Sequence, residues 1–362
     1  MASQSFKITV IGAGVSGLTT ALVLSQNPKY RITVVAKFMP GDYDAEYASP
    51  WAGANFWPMG AAGSTQAELE KSTWSELSKL AKEYPESGIS FQKAFIHTRV
   101  EDVGRVGSLF CQSDKNLPWW SDLFHDFKSL DQSELTSGIH STYEFTTVCI
   151  NTAIYLPWLL SQCIKNGVIF KRAVVKHIAD AASLHASQKP ADLVVNCTGL
   201  MARNLGGVED KTVVPARGQV VVVRNDPGIM ATISNTSSKN DEMAYMMSRP
   251  GGGGTILGGC YQVGNWNAFP DPDLAESIKK GCLALYPELT QGKGVEELSV
   301  IRHGVGFRPL RPQGVRIETE RVKGTLVVHN YGHGGWGYQS SYGSAAAVDL
   351  LVEREVKLNA KL

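Results

Sequence analysis

The chain reads as an α/β protein in which a Rossmann-like dinucleotide-binding domain is interleaved with a mostly antiparallel β domain. Three observations predict this class. A glycine-rich turn joins a strand to a helix near the N-terminus, a buried-strand pattern ends in Thr-Gly at mid-chain, and a second glycine-rich turn joins a strand to a helix near the C-terminus. Strand–helix–strand units build parallel sheets, and such sheets take ligands at their carboxyl edge.

The first turn is Gly12-Ala13-Gly14-Val15-Ser16-Gly17. It follows an apolar, β-branched run at 6–11 and precedes a helix pattern with Val15, Leu18 and Leu22 on one face; a second apolar run, 32–35, comes next. This is the context in which G-x-G-x-x-G binds a dinucleotide. The first Gly makes the turn, the second admits a pyrophosphate, and the third lets helix and strand pack closely. The helix N-terminus then receives the negative charge. The second strand should end in Asp or Glu for a ribose hydroxyl, but it reads Val35-Ala36-Lys37. Lys37 is either a solvated strand end or a contact to a 2′-phosphate, and hence to NADP.

The segment 48–58 mixes small residues with two Trp and a Phe and is expected to be an ordered loop. A capping box at Thr65 and Glu68 starts a helix carrying Trp74, Leu77, Leu80, Ala81 and Tyr84 at helical spacing. Residues 87–135 give no clear pattern. A helix is expected over about 156–164, then a strand over 168–175 and a buried strand at 192–196 ending in Cys197-Thr198-Gly199. Strands at 218–223 and 244–247 flank a polar, mobile stretch at 234–242. The turn Pro250-Gly251-Gly252-Gly253-Gly254 leads to a strand at 255–258. A strand at 326–329 and a helix at 343–355 close the chain.

At 362 residues the chain accommodates two domains. With 43% apolar residues, 19% charged residues and a net charge of +1, nothing favours nucleic acid or an anionic membrane. No apolar run approaches the ~18 residues of a membrane span. The early first strand leaves no room for a signal peptide, so the sequons at Asn196 and Asn235 carry no weight. The six cysteines form no C-x-x-C pair and are expected to be buried thiols in a reducing compartment, with no metal site. No G-x-S-x-G elbow is present. The last residues, Ala360-Lys361-Leu362, resemble the Ser-Lys-Leu peroxisomal address and so imply a peroxisomal import receptor as partner.

Three groups of residues carry candidate chemistry. Arg308 stands among Phe307, Pro309 and Leu310, an apolar setting in which its fork needs an anion, either a substrate carboxylate or a protein acid. Tyr245 and Tyr261 flank the glycine turn on adjacent strands and serve either as core residues or as phenol donors. The segment His329-Asn330-Tyr331-Gly332-His333-Gly334-Gly335-Trp336-Gly337-Tyr338-Gln339 brings backbone close to a ligand.

Together these segments resemble the D-amino-acid oxidase family of flavoenzymes over nearly the whole chain. Residues 12–17 resemble the FAD fingerprint. The stretch Ala48-Ser49-Pro50-Trp51-Ala52-Gly53-Ala54-Asn55 resembles the loop against the flavin, Cys197-Thr198-Gly199 a second FAD contact, and 331–339 the loop under the flavin ring. The resemblance implies FAD contacts from all of these, and from Ala36, Lys37, Val174 and Arg308. It implies that Arg308 pairs with the substrate α-carboxylate and that Tyr245 donates to it. The Gly335 carbonyl accepts from the substrate amine, Gln339 orients it through water, and 234–242 forms a lid. Tyr261 falls where D-aspartate oxidases tend to carry Arg, which favours neutral D-amino acids. Ala36-Lys37 departs from the Asp often found there, and Trp336 is bulky enough to narrow the pocket.

The implied domains are an FAD-binding one (1–57, 140–215, 300–362) and a substrate-binding one (58–139, 216–299). A homodimer is an expected assembly that the residues alone leave open. The implied reaction is oxidative deamination. The neutral amine pushes as Cα–H leaves as hydride to flavin N5, O2 is reduced to H2O2, and the imino acid hydrolyses to a 2-oxo acid and ammonia. No general base is required when the site only orients the substrate. A D-aspartate oxidase, a glycine- or sarcosine-type oxidase, a nicotinamide-dependent dehydrogenase and an inert FAD-holding protein are the alternative readings.

Overall fold

The computed structural model describes residues 5–103, 117–233 and 242–359. The expected lid therefore lies outside the described residues apart from Glu242, as do Cys111, Asn235 and the C-terminal tripeptide. In chain order the elements begin with β1 (Phe6–Ile11), α1 (Val15–Ser25), β2 (Tyr30–Ala36), α2 (Thr65–Glu83), β3 (Ile89–Arg99), β4 (Lys128–Ser129) and β5 (Ile139–Ile150). They continue with α3 (Thr152–Lys165), β6 (Ile169–Arg172), β7 (Leu193–Asn196), β8 (Val214–Val223), β9 (Ile229–Ile233) and β10 (Glu242–Ser248). The last are β11 (Thr255–Cys260), β12 (Gln262–Val263), α4 (Pro272–Leu285), β13 (Val300–Leu310), β14 (Thr319–Val322), β15 (Thr325–His329) and α5 (Ser341–Asn359).

One sheet has the order β14-β15-β7-β1-β2-β6. Its strands run parallel except for β14, which is antiparallel to β15. Both faces are covered, which is why its central strands are continuous apolar runs. Ile8 and Val10 face a core with Leu18, Leu159 and Val352 from α1, α3 and α5, while Ile11 faces Ile178 and Val327 on the other side. The second sheet has the order β12-β8-β11-β10-β9-β3-β5-β4, with β13 also paired to β8. It is antiparallel apart from β3 against β9. Helix α4 lays Leu274, Ile278 and Cys282 on Val221, Met246 and Leu257 of this sheet. Strands β5 and β13, both within segments expected to belong to the dinucleotide-binding region, hydrogen-bond into the second sheet.

Several element ends differ from the sequence reading, each for a local reason. The α2 cap is Ser64, one residue before Thr65: its backbone is extended and its hydroxyl accepts from Ala67 N–H. Helix α3 starts at Thr152, four residues earlier than its apolar stripe, because Asn151 caps it by accepting from Ala153 N–H. The strand expected at 168–175 shortens to Ile169–Arg172 because β2, its partner, ends at Ala36. The unpatterned stretch 87–135 holds β3, an eleven-residue strand. Cys149, Cys163, Cys197 and Cys282 are buried free thiols, and burial pushes each up to about 12.

Candidate active site

The glycine turn is built by contact. A Cβ on Gly12, which sits at φ +105°, would lie 2.4 Å from the Cys197 carbonyl oxygen. One on Gly17 would lie 2.0 Å from the Gly12 carbonyl oxygen, so α1 rests directly on the turn. The first turn of α1 contains no acid. Its Val15 N–H donates to Ser49 Oγ at 3.0 Å, which brings the 48–55 loop against the helix start. The helix end thus presents its positive dipole without an internal counter-charge.

A cavity of about 570 Å³ opens from this turn. The parallel sheet contributes residues 12–16, Ala36, Lys37 and 197–199 to its wall, joined by Val174 and by Ala48, Ser49, Ala52, Gly53 and Ala54. The antiparallel sheet contributes Met230, Tyr245, Met247, Arg308 and the adjoining Tyr261, and residues 333–339 join the two regions. Of the expected cofactor contacts, Gly17 and Gly332 are not in this lining. Gly17 is occupied in helix packing, and Gly332, at φ +91°, abuts the Arg311 side chain.

Arg308 stands on β13 opposite Ala216 of β8. Its guanidinium lies across Gly218, where a Cβ would come within 2.3 Å of Nη1. The described partners of the guanidinium are all neutral. Nη1 donates to the Cys260 carbonyl at 3.0 Å, the group lies 5.2 Å from the centroid of the Tyr261 ring, and its charge acts on the neighbouring Tyr245 phenol. Tyr245 lies on β10 opposite Gly258 of β11, and a Cβ on Gly258 would overlap its ring at 2.0 Å. Burial raises the pKa of both phenols, Tyr245 and Tyr261, against the lowering effect of Arg308, so both stay protonated donors. Gly335 packs at the same corner, its Cβ position 3.4 Å from Arg308 Cδ. The structure therefore brings Tyr245, Tyr261, Arg308 and Gly335 together, although Tyr261 sits between β11 and β12 rather than within a strand.

Gln339 lines the cavity, but both ends of its amide already have protein partners. Nε2 donates to Glu70 Oε1 at 2.7 Å, and Oε1 accepts from Trp57 N–H at 3.4 Å. Glu70 is fully buried on α2 and also accepts from Met59 N–H, Gly60 N–H and Gln66 Nε2. Burial raises its pKa, against those hydrogen bonds. Sequence reasoning misses Glu70. The available signal is a carboxylate on the stripe that continues through Thr73, Leu77 and Leu80, all buried. It also misses Arg249, a buried cation that donates to the carbonyls of Ala52 and Gly53 and to Thr152 Oγ1, and so holds the loop from behind.

His329 and His333 stand four residues apart. They face different partners: His329 contacts Asn196 and Glu320, and His333 contacts Ser344 Oγ at 3.1 Å. Among the described residues no cluster of three His, Cys, Asp or Glu could hold a metal. Burial pulls His333 down to about 4 from an ordinary 6.5. The unfolded chain then takes up a proton near 6.5 while the folded protein resists until about 4. Stability from this group is complete above 6.5 and is lost as the pH falls towards 4, on the order of 3 kcal/mol in all. His333→Gln is expected to flatten the acid limb of a urea-denaturation stability profile in that window. An unchanged limb would show that His333 is not buried neutral.

A family model described as FAD dependent oxidoreductase matches residues 7–350. The chain is 52% identical to a D-amino-acid oxidase of Fusarium vanettenii, covering 97% of this chain and 98% of that one. It is 39% identical to a D-amino-acid oxidase of Schizosaccharomyces pombe, covering 97% of both. The fold resembles a glycine oxidase from Geobacillus kaustophilus with a TM-score of 0.72 at 18% identity, over 97% of this chain and 95% of that one. With such identity over nearly the full length, the chain belongs to the D-amino-acid oxidase family of FAD-dependent oxidoreductases.

Proposed function

We propose that the protein oxidises neutral D-amino acids, using O2 and water to give the 2-oxo acid, ammonia and H2O2. The observation that carries this is Arg308: a guanidinium on the wall of the cofactor cavity, held by neutral partners and bracketed by two phenols. FAD fits the cavity on two structural criteria: residues 12–16 line it at the start of α1, and the first turn of that helix carries no acid. When bound, FAD supplies the two-electron acceptor and delivers the electrons to O2.

The chain's own residues bind and orient. The α1 N-terminus and the glycine turn hold the pyrophosphate. Arg308 receives the substrate α-carboxylate on its fork while Tyr245 donates to the same group. The Gly335 carbonyl and, through water, the second N–H of the Gln339 amide orient the neutral amine. Tyr261, Met230 and Met247 wall the side chain. Arg308 is the one arginine among the described lining residues, and Lys37 and Lys176 belong to the parallel-sheet end, so a second substrate carboxylate finds no fork of its own. In this reading residues 1–57, 140–215 and 300–362 form the FAD-binding part and 58–139 and 216–299 the substrate part, with β5 and β13 bridging them.

A steady-state panel with peroxide readout tests this. D-alanine is expected to turn over and L-alanine is not. For D-aspartate, an unpaired buried carboxylate should lower kcat/KM by roughly 100-fold or more. D-aspartate as the best substrate would overturn the neutral-substrate reading. We also infer peroxisomal import through Ala360-Lys361-Leu362. A fluorescent fusion lacking these three residues should become diffuse, and unchanged punctate localisation would refute the address.

A further inference from the structure

The strand end that lacks an acid has one in space. Lys37, directly after β2, pairs through Nζ with Glu46 Oε2 at 3.2 Å. Glu46 and Lys37 line the cavity together with Ala36 and Phe38, on the same side as Val174. Only one carboxylate oxygen meets the ammonium, and Oε1 keeps its acceptor capacity.

The backbone around Glu46 is fixed from both sides. Glu46 N–H donates to Asp44 Oδ1 at 2.9 Å, and the Asp44 carbonyl accepts from Trp51 Nε1 at 2.8 Å. Tyr47, the next residue, donates its hydroxyl to the Ala13 carbonyl at 2.7 Å, inside the glycine turn. Further back, Asp42 accepts from Met39 N–H and pairs with Arg172 at the end of β6. The 39–47 loop is thereby folded over the carboxyl edge of β2 and β6 and tied to the turn that receives the pyrophosphate.

We propose that Glu46 is the ribose-binding acid of this protein, accepting from an adenosine hydroxyl of FAD in place of the missing strand-end carboxylate, with Lys37 as the residue that positions it. In dinucleotide folds this role falls to an acid at the end of the second strand. Here the acid comes from nine residues further along and is returned to the strand end by the lysine that stands there. The pair also explains why Lys37 does not signal a 2′-phosphate: its charge is already committed to Glu46, and an additional phosphate would meet the carboxylate. The proposal rests on the FAD reading of the cavity and is independent of which amino acid is oxidised.

The test is titration of apoprotein with FAD, followed by quenching of flavin fluorescence, using wild type, Glu46→Gln and Lys37→Met. FAD analogues lacking the adenosine 2′-hydroxyl or 3′-hydroxyl are titrated in parallel. A charged acceptor on a hydroxyl predicts that Glu46→Gln raises the FAD dissociation constant by roughly 10-fold or more. One of the two deoxy analogues should bind wild type and Glu46→Gln equally, because the interaction is already gone. Lys37→Met should have the smaller effect, since it leaves the acceptor in place. The proposal is overturned if Glu46→Gln binds FAD like wild type. It is also overturned if the substitution weakens both deoxy analogues as much as FAD, or if Lys37→Met matches it, which would make the ion pair purely structural. Tight FAD binding without D-amino-acid turnover would count against the proposed activity and leave this assignment standing.

Discussion

Replacing Arg308 with alanine is expected to abolish most carboxylate recognition while sparing the fold. Removing one partner of a desolvated charge pair costs roughly 3–5 kcal/mol, which corresponds to about two to four orders of magnitude in kcat/KM. The loss should fall mainly on KM, because in the proposed role the guanidinium holds the substrate before and during reaction alike. The structure adds a second, separable expectation. The described partners of Arg308 are a carbonyl, a phenol and an aromatic ring, so its removal strands no protein carboxylate. Thermal stability of the holoprotein should change by less than about 1 kcal/mol. Arg308→Lys should recover only part of the affinity, since an ammonium cannot make the two parallel bonds of a fork. Wild-type kinetics in Arg308→Ala would remove Arg308 from the site, and a collapse in stability would mean that it is a structural cation.

The second large effect is expected at Gly17, which does not line the cavity. A methyl group there would lie 2.0 Å from the Gly12 carbonyl oxygen, a backbone atom that cannot rotate away. Relief requires α1 to lift from the turn, and overpacking of this kind costs roughly 3 kcal/mol. Lifting α1 also moves Val15 and Ser16, whose positions set the anion end of the cavity. Gly17→Ala should therefore lower the Tm of the apoprotein by about 4 °C and weaken FAD binding at the same time. A variant with normal stability but poor FAD binding would instead make Gly17 a direct contact.

These two positions show what local pattern reveals and where it stops. The 12–17 turn is legible because its chemistry is short-range: each glycine answers to a strand and a helix a few residues away. Arg308 shows in the sequence only as a cation in an apolar setting with two open readings. What favours the substrate reading is its neutral surroundings, the Cys260 carbonyl and the two phenols, brought in by strand pairing across 47–63 positions of chain. Glu70 and Arg249 are opaque for the same reason. Glu70 reads as an ordinary helix acid until Gln339 is placed beside it, 269 residues away. Arg249 reads as a turn residue until it meets Ala52 and Gly53. The element ends shifted where a polar cap, rather than the apolar stripe, sets the boundary, as at Ser64 and Asn151.

The glycines of the antiparallel sheet carry a practical consequence. Replacing glycine in a strand is an ordinary route to thermostability, because it restricts the unfolded chain and restores strand propensity. On this sheet the same substitution would refill a mould. Gly218 is the hollow for Arg308, Gly258 the hollow for Tyr245, and Gly306 the hollow for Trp51. Any programme that hardens the enzyme for use at high temperature should leave those strands alone and seek its gains on exposed turns. In this wall, the room for Arg308, Tyr245 and Trp51 is made of absent atoms, which a score based on added contacts would count as defects.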